Sequence, residues 1–243
     1  MQRSQATSVT VESWGWSRQG AYRTENQDSF LNWPESLFWA VADGMGGGTH
    51  GGPASRLVMR NLLGIPAQQS LGARLENVRR LLNQSNGQLC AASSSGAAAC
   101  TVVALLIHED RAACIWAGDS RCYLFRDDVL YLCTRDHTVR QRKIDGKELT
   151  AREAERMVRG NVLTSAVGIR RELQAESAEF LLRAGDRFLL CSDGLSNHVS
   201  PETLALHLGR ANARDSAMAI ARDLDRNAPP DDATVITIFL SGA

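Results

Sequence analysis

The sequence predicts an α+β fold, a four-layer αββα sandwich of two antiparallel sheets flanked by helix pairs. Two observations carry this expectation. Apolar strand-like runs follow one another quickly through the middle of the chain, separated by short turns at Glu109-Asp110, Gly118-Asp119 and Asp127-Asp128. Strands that closely spaced pair antiparallel. Helical segments come in pairs between blocks of strands rather than singly between strands, which argues against a doubly wound parallel sheet. At 243 residues the chain is long enough for one domain with a proper core, and 1–243 reads as a single domain.

The elements follow in order. Trp14 and Trp16 alternate before the turn at Gln19-Gly20, as in a strand. The short apolar run 37–42 stops at Asp43-Gly44 and reads as a buried strand feeding a glycine loop. Residues 53–63 and 71–89 look helical. The second segment places Leu71, Leu75, Val78, Leu82 and Leu89 on one face, with Arg74, Glu76, Arg79 and Arg80 outside it. Strands are expected at 99–106, 112–117, 121–125 and 129–133. From 136 to 168 the pattern turns helical and charged, with Lys143, Lys147, Arg152, Glu153, Glu155 and Arg156. Strands return at 179–182 and 187–191, amphipathic helices at 201–208 and 216–224, and a strand at 233–240 closes the chain. Trp14, Trp16, Trp33, Trp39 and Trp116 are assigned to the core.

Composition excludes several roles. Apolar residues make up 44% and charged residues 22%, ordinary for a globular protein. Lys+Arg and Asp+Glu both number 27, a balance that argues against nucleic-acid binding by phosphate neutralisation and against a polybasic membrane anchor. The first ten residues lack the apolar core of a signal peptide. The longest apolar run, 97–107, is too short to span a bilayer. The six cysteines are scattered, mostly within apolar stretches and with no C-x-x-C pair, so buried reduced thiols are expected rather than zinc ligands or disulfides. The expectation is a cytoplasmic protein, with a monomer as the default.

The chemistry-bearing residues are aspartates in turns. Asp28 ends Arg23-Thr24-Glu25-Asn26-Gln27-Asp28, and Asp43 opens Asp43-Gly44-Met45-Gly46-Gly47-Gly48. Asp193 lies in Cys191-Ser192-Asp193-Gly194, and Asp231 in Pro229-Pro230-Asp231-Asp232. Gly118-Asp119-Ser120 repeats the pattern at another strand end. Each Asp-Gly alone reads as a plain turn. Brought together, these carboxylates would form an oxygen cage for hard divalent cations, to which a Gly44 carbonyl could add. The glycine run is not a phosphate loop, because no G-K-[ST] follows. Arg23, twenty residues before Asp43, can hold two phosphate oxygens in a forked pair, although alone it reads as a surface arginine.

In order and spacing these pieces resemble the metal-dependent protein phosphatases, the type 2C serine/threonine phosphatase family, and in particular its compact bacterial members. The matching motifs are Gly20 to Asp28, Val41 to Gly47, Gly51-Gly52-Pro53-Ala54-Ser55, Gly118-Asp119-Ser120-Arg121, Thr134-Arg135-Asp136-His137, Asn161 to Gly168, Ser192-Asp193-Gly194-Leu195 and Asp231 to Val235. They are collinear through nearly the whole chain.

The resemblance implies a β-sandwich with a flap subdomain at about 136–168. It implies two Mn²⁺ or Mg²⁺ ions, with Asp43 as the bridge, the Gly44 carbonyl on one ion, Asp193 and Asp231 on the other, and Asp28 at the same cluster. Asp119, with Asp193, matches the position of a looser third ion. Paired cations would lower the pKa of a water held in line with phosphorus, and Arg23 would bind the substrate phosphoryl oxygens. The implied reaction is direct hydrolysis of phosphoserine or phosphothreonine in proteins, opposing a bacterial Ser/Thr kinase. A small phosphoester substrate is one alternative, and a weakly catalytic phosphoprotein-binding regulator is another. The chain departs from the family pattern in several places. Gly48 stands where relatives often have histidine, leaving the acid that protonates the leaving group unassigned between nearby His50 and a water on the third ion. Ala98-Ala99-Cys100-Thr101 replaces a Gly-Thr-Thr and is expected to affect packing rather than metals. Asp232 stands where Asn is commoner, adding an acid beside the cluster. His137 is expected to be a hydrogen-bonded structural histidine.

Overall fold

The protein is described by a computed structural model over residues 10–46, 51–65, 69–92, 98–158, 162–226 and 229–241. The first strands are β1 (Thr10–Arg18), β2 (Asp28–Trp33) and β3 (Phe38–Met45), followed by helices α1 (Gly51–Leu62) and α2 (Leu71–Ala92). The middle of the chain supplies β4 (Ala99–Cys100), β5 (Val102–His108), β6 (Arg111–Ala117), β7 (Arg121–Arg126) and β8 (Val129–Leu132). Short helices α3 (Val139–Asp145) and α4 (Ala151–Met157) precede β9 (Glu176–Leu181) and β10 (Arg187–Cys191). The chain then runs through α5 (Asp193–Ser196), α6 (Pro201–Leu208), α7 (Ala213–Arg226) and β11 (Ala233–Ser241).

The strands form two antiparallel sheets. One has the order β1-β11-β10-β7-β8 and the other β2-β3-β5-β6-β9, with β4 added beside β3. Strand β3 shows why the layers stack as they do. Its alternation sends Trp39 and Val41 between the sheets, against Phe188, Leu190, Ile236 and Ile238. Phe38, Ala40 and Ala42 point the other way, into a cluster with Val58 and Leu62 of α1 and Val78 and Leu82 of α2. A strand covered on both faces reads as a continuous apolar run, which is what made this segment visible in the sequence. On the far side α6 and α7 pack Leu204, Leu208, Ile220 and Leu224 against Leu189 and Val235. The layers are therefore helix pair, sheet, sheet, helix pair, as expected.

Three local readings are corrected. Strand β2 was not anticipated, because Asp28 opens it and Phe30 and Leu31 break the alternation. Trp14 is not core: it is 38% exposed, with the Arg214 guanidinium 5.0 Å from its ring centroid. Arg74, placed outside the apolar face of α2, is fully buried. It donates to Ile107 O at 2.7 Å and Ser36 O at 2.5 Å, closing the short 3-10 turn Pro34–Ser36 and the end of β5, and burial lowers its pKa. Helices α3 and α4 start on Thr138 and Thr150, whose hydroxyls accept from Gln141 N and Glu153 N. Among the described residues no helix is long and apolar enough to cross a membrane.

Candidate active site

Each acid sits where a strand begins or ends, and the sandwich brings those ends to one edge. Asp28 opens β2 and faces Asp43 of β3 as its direct cross-strand partner. Asp193 follows β10 as the first residue of α5, Asp231 precedes β11, and Asp119 lies in the turn between β6 and β7. Arg23, Asp43, Gly44, Asp119, Asp193 and Asp231 line one cleft of about 370 Å³. Asp28 is buried behind it, and its charge and those of Asp193, Asp119 and Asp231 all act on Asp43.

The carboxylates are held from behind. Asp28 Oδ2 accepts from Ser192 Oγ and Thr234 Oγ1, both at 2.7 Å. The Ser192 hydroxyl also accepts from Thr234 N at 2.9 Å. One carboxylate oxygen thus ties β2 of one sheet to β10 and β11 of the other, while Asp28 Oδ1 is buried with no hydrogen-bond partner among the described residues. Asp43 is fixed through its backbone: its N–H donates to Thr101 Oγ1 at 3.1 Å and its carbonyl accepts from Thr101 N at 2.9 Å. Thr101 Oγ1 also meets Ser120 Oγ at 2.7 Å, joining the Asp43 strand to the Asp119 turn. Gly44 is required by space, since a Cβ there would lie 2.2 Å from Gly51 O and 2.6 Å from Gln27 O.

Asp232 lies beside the cleft and does a different job from Asp231. Its two oxygens accept from Gly20 N and Gln27 N, each at 2.8 Å, so it clamps both ends of the loop carrying Arg23. Arg23 reaches across to Asp231, with Nε at 2.8 Å and Nη2 at 2.5 Å from the same Oδ1. Burial works against the Arg23 charge, but Asp231, with Asp232 and Asp43, raises its pKa on balance.

Gathering acids out of water raises their pKa values. Burial lifts Asp28 to about 7 against its two hydroxyl hydrogen bonds, with Asp232 and Asp193 adding to the shift. Burial, then Asp193 and Asp136, lifts Asp119 to about 7. Asp43 is pushed well above the carboxylate range by burial and by Asp28, Asp193, Asp119 and Asp231. These carboxylates need positive charge to ionise together. Their donors are all oxygen, the chemistry of Mn²⁺ and Mg²⁺, and Asp28 Oδ1 has no competing donor among the described residues. No three acidic, imidazole or thiol groups among the described residues already enclose a common point; the acids line an open cleft. The residues fit a divalent-cation centre.

The sequence profile described as protein phosphatase 2C matches residues 21–214. The chain belongs to the protein phosphatase 2C family. PstP of Mycobacterium tuberculosis, a serine/threonine protein phosphatase, is 32% identical over 224 residues, which is 90% of this chain and 43% of PstP. The chain therefore spans less than half the length of that relative. Among solved structures, PppA, described as a key regulatory component of T6SS in Pseudomonas aeruginosa, superposes with a TM-score of 0.84 at 33% identity, covering 96% of this chain and 98% of PppA. The PstP catalytic domain, in complex with two manganese ions, gives 0.83 at 30% identity, covering 96% and 100%.

In this protein phosphatase 2C member the structure brings Arg23, Asp28, Asp43, Gly44, Asp119, Asp193 and Asp231 to one place. His50, Gly48 and the Arg159-Gly160 departure lie outside the described residues. His137 is part of the wall behind Asp119: its N–H donates to Gly118 O at 2.9 Å and its Nδ1 accepts from Gly118 N at 3.3 Å. Sequence reasoning missed the roles of Ser192, Thr234 and Thr101. Thr101, which keeps the last threonine of the family's Gly-Thr-Thr, holds the Asp43 backbone. The hydroxyls flanking Asp193 and Asp231 were the available signal, and only pairing of β10 with β11 shows that they converge.

Proposed function

We propose that this chain is a metal-dependent serine/threonine protein phosphatase that hydrolyses phosphoserine and phosphothreonine in proteins directly, without a phosphoenzyme. The observation that carries the reading is the carboxylate cleft lined by Arg23, in a chain whose family and relatives are serine/threonine phosphatases. Asp43, Asp193, Asp231, the Gly44 carbonyl and Asp28 would hold two Mn²⁺ or Mg²⁺ ions, and Asp119 with Asp193 a third. When bound, such ions supply Lewis acidity that brings a water's pKa toward neutrality and offsets phosphate charge. The chain's own residues do the rest. Arg23 presents a guanidinium at the cleft wall, where it can fork onto two phosphoryl oxygens and oppose the charge that grows on them. To do so it must share or leave Asp231. Asp232 fixes the Arg23 loop so that this exchange needs side-chain rotation rather than backbone movement. Cys191 is buried in the core behind Asp193, and burial pushes its thiol up to about 12, which suits no nucleophilic role.

The natural partner is a phosphorylated protein, and a Ser/Thr kinase or its substrate is the expected counterpart in a cytoplasmic setting. Segment 136–168, carrying α3 and α4, is the flap of a single catalytic domain. The test is turnover of a phosphothreonine peptide with Mn²⁺, its loss in EDTA, and its near-complete loss in Asp193→Asn with the circular dichroism spectrum retained. Wild-type rates in that variant would end the metal-cage assignment.

A further inference from the structure

Part of the cleft lining is of a different kind. Met45, Leu163 and Ile169 line it together with the carboxylates, and Ile169 is 39% exposed. Aliphatic side chains at the mouth of a charged cleft gain nothing from water, so their placement depends on what holds them.

The support is extensive. Ile169 follows Gly168, which has φ +97 and has no room for a Cβ, the nearest atom being Ala98 O at 2.6 Å. Asn86 of α2, buried, brackets this turn: its Oδ1 accepts from Gly168 N at 2.8 Å and its Nδ2 donates to Arg170 O at 2.9 Å and Arg171 O at 3.0 Å. Just before the turn, Val167 and Cys100 exchange both backbone hydrogen bonds at 2.9 Å, next to Thr101, which holds Asp43. Leu163 bridges to Thr138. The following Thr164 N–H donates to His137 O at 2.7 Å, and His137 N–H donates to Gly118 O at 2.9 Å, beside Asp119. Both aliphatic residues are fixed to the backbone that places the acids. They form a rigid apolar lip.

Arg23 is the one cation lining the cleft among the described residues, so a phosphoryl group is drawn to its end. The part of a substrate next to the phosphorylated residue then meets the lip. We infer that Leu163, Ile169 and Met45 form a subsite for an aliphatic side chain flanking the phosphorylated residue, so that the substrates are phosphopeptides with Leu, Ile, Val or Met beside it. This deepens the phosphoprotein reading and rests on it. A polar side chain placed there would lose water without gaining a partner.

The test uses the purified chain with Mn²⁺ and phosphothreonine peptides identical except that both flanking residues are Leu, Asn or Asp. The Leu peptide should exceed the Asn peptide in kcat/KM by roughly tenfold, and the ratio should fall toward unity in Ile169→Asn and in Leu163→Asn. Good turnover of all three peptides with no preference overturns the subsite while leaving the phosphatase reading intact. A preference for Asp, which would assign recognition to the exposed Arg170 and Arg171, also overturns it, as does a Leu preference that survives both variants. Hydrolysis of a small phosphoester with none of the peptides overturns both readings.

Discussion

Asp28 and Asp43 stand directly opposite one another in the β2–β3 ladder. Like charges in that relation are destabilising between strands, and here they are also withdrawn from water. Two hydroxyls hold Asp28 from the side of the other sheet, so the pair is kept together rather than allowed to splay. A fold that holds two acids in this way has a use for a cation between or beside them.

The first prediction concerns pH. The folded-state pKa values of Asp28 and Asp119 are near 7, above the ~3.9 of an unfolded aspartate. The folded chain therefore binds more protons than the unfolded one between these values, and stability must fall as pH rises through that window. Protein treated with EDTA should melt at a lower temperature at about pH 8 than at about pH 5. Mn²⁺ should raise the melting temperature more at the higher pH, where proton competition is weakest. A melting temperature that rises with pH in EDTA would contradict the assignment of these shifts.

Thr101→Val tests the bond behind Asp43. The substitution keeps the branched shape and removes the acceptor of Asp43 N–H and the partner of Ser120. Stability should drop by about 1–3 kcal/mol, and Mn²⁺ affinity by about tenfold to a hundredfold. Denaturant titration and metal titration measured separately would show it. A loss of stability with unchanged metal affinity would make Thr101 a packing residue only.

Asp232→Asn tests the clamp. Asparagine has one acceptor oxygen, so one of the two backbone N–H groups at Gly20 and Gln27 would face an amide donor. KM for a phosphopeptide should rise by roughly tenfold, because the Arg23 loop loosens, with kcat changing less. An unchanged KM would detach the clamp from substrate binding.

Arg23→Lys separates charge from geometry. Lysine keeps the positive charge near Asp231 but cannot fork onto two oxygens. KM should rise by about tenfold or more, and Arg23→Ala should weaken binding further. Equal kinetics for arginine and lysine would mean that Arg23 acts as a point charge alone.

How far the sequence revealed this structure depends on what each feature rests on. The buried strands β3, β5, β6, β10 and β11 were legible because burial on both faces leaves continuous apolar runs, and Asp43, Asp119 and Asp193 because they follow such runs. Strand β2 was not, since its pattern is short and its first residue serves the site. Trp14 and Arg74 were misplaced for opposite reasons. An aromatic ring can lie under a guanidinium at the surface, and a buried guanidinium can be satisfied by carbonyls that no local pattern reveals. The Asp232 clamp joins positions 212 and 205 residues apart, so only the assembled sandwich discloses it.

Strand β1 pairs with β11 along its whole length, from Thr10 opposite Ser241 to Arg18 opposite Ala233. Strands far apart in sequence are thus neighbours, and β11 completes the sheet edge that β1 began. A nascent chain that has reached Asp193 owns Asp28, Asp43 and Asp119, but it has neither Asp231 nor the Asp232 clamp for Arg23. Contacts so remote in sequence form late, so the carboxylate cleft is complete only once β11 has been made and paired. A chain cut short of Asp231 has no complete set of acids to offer a cation.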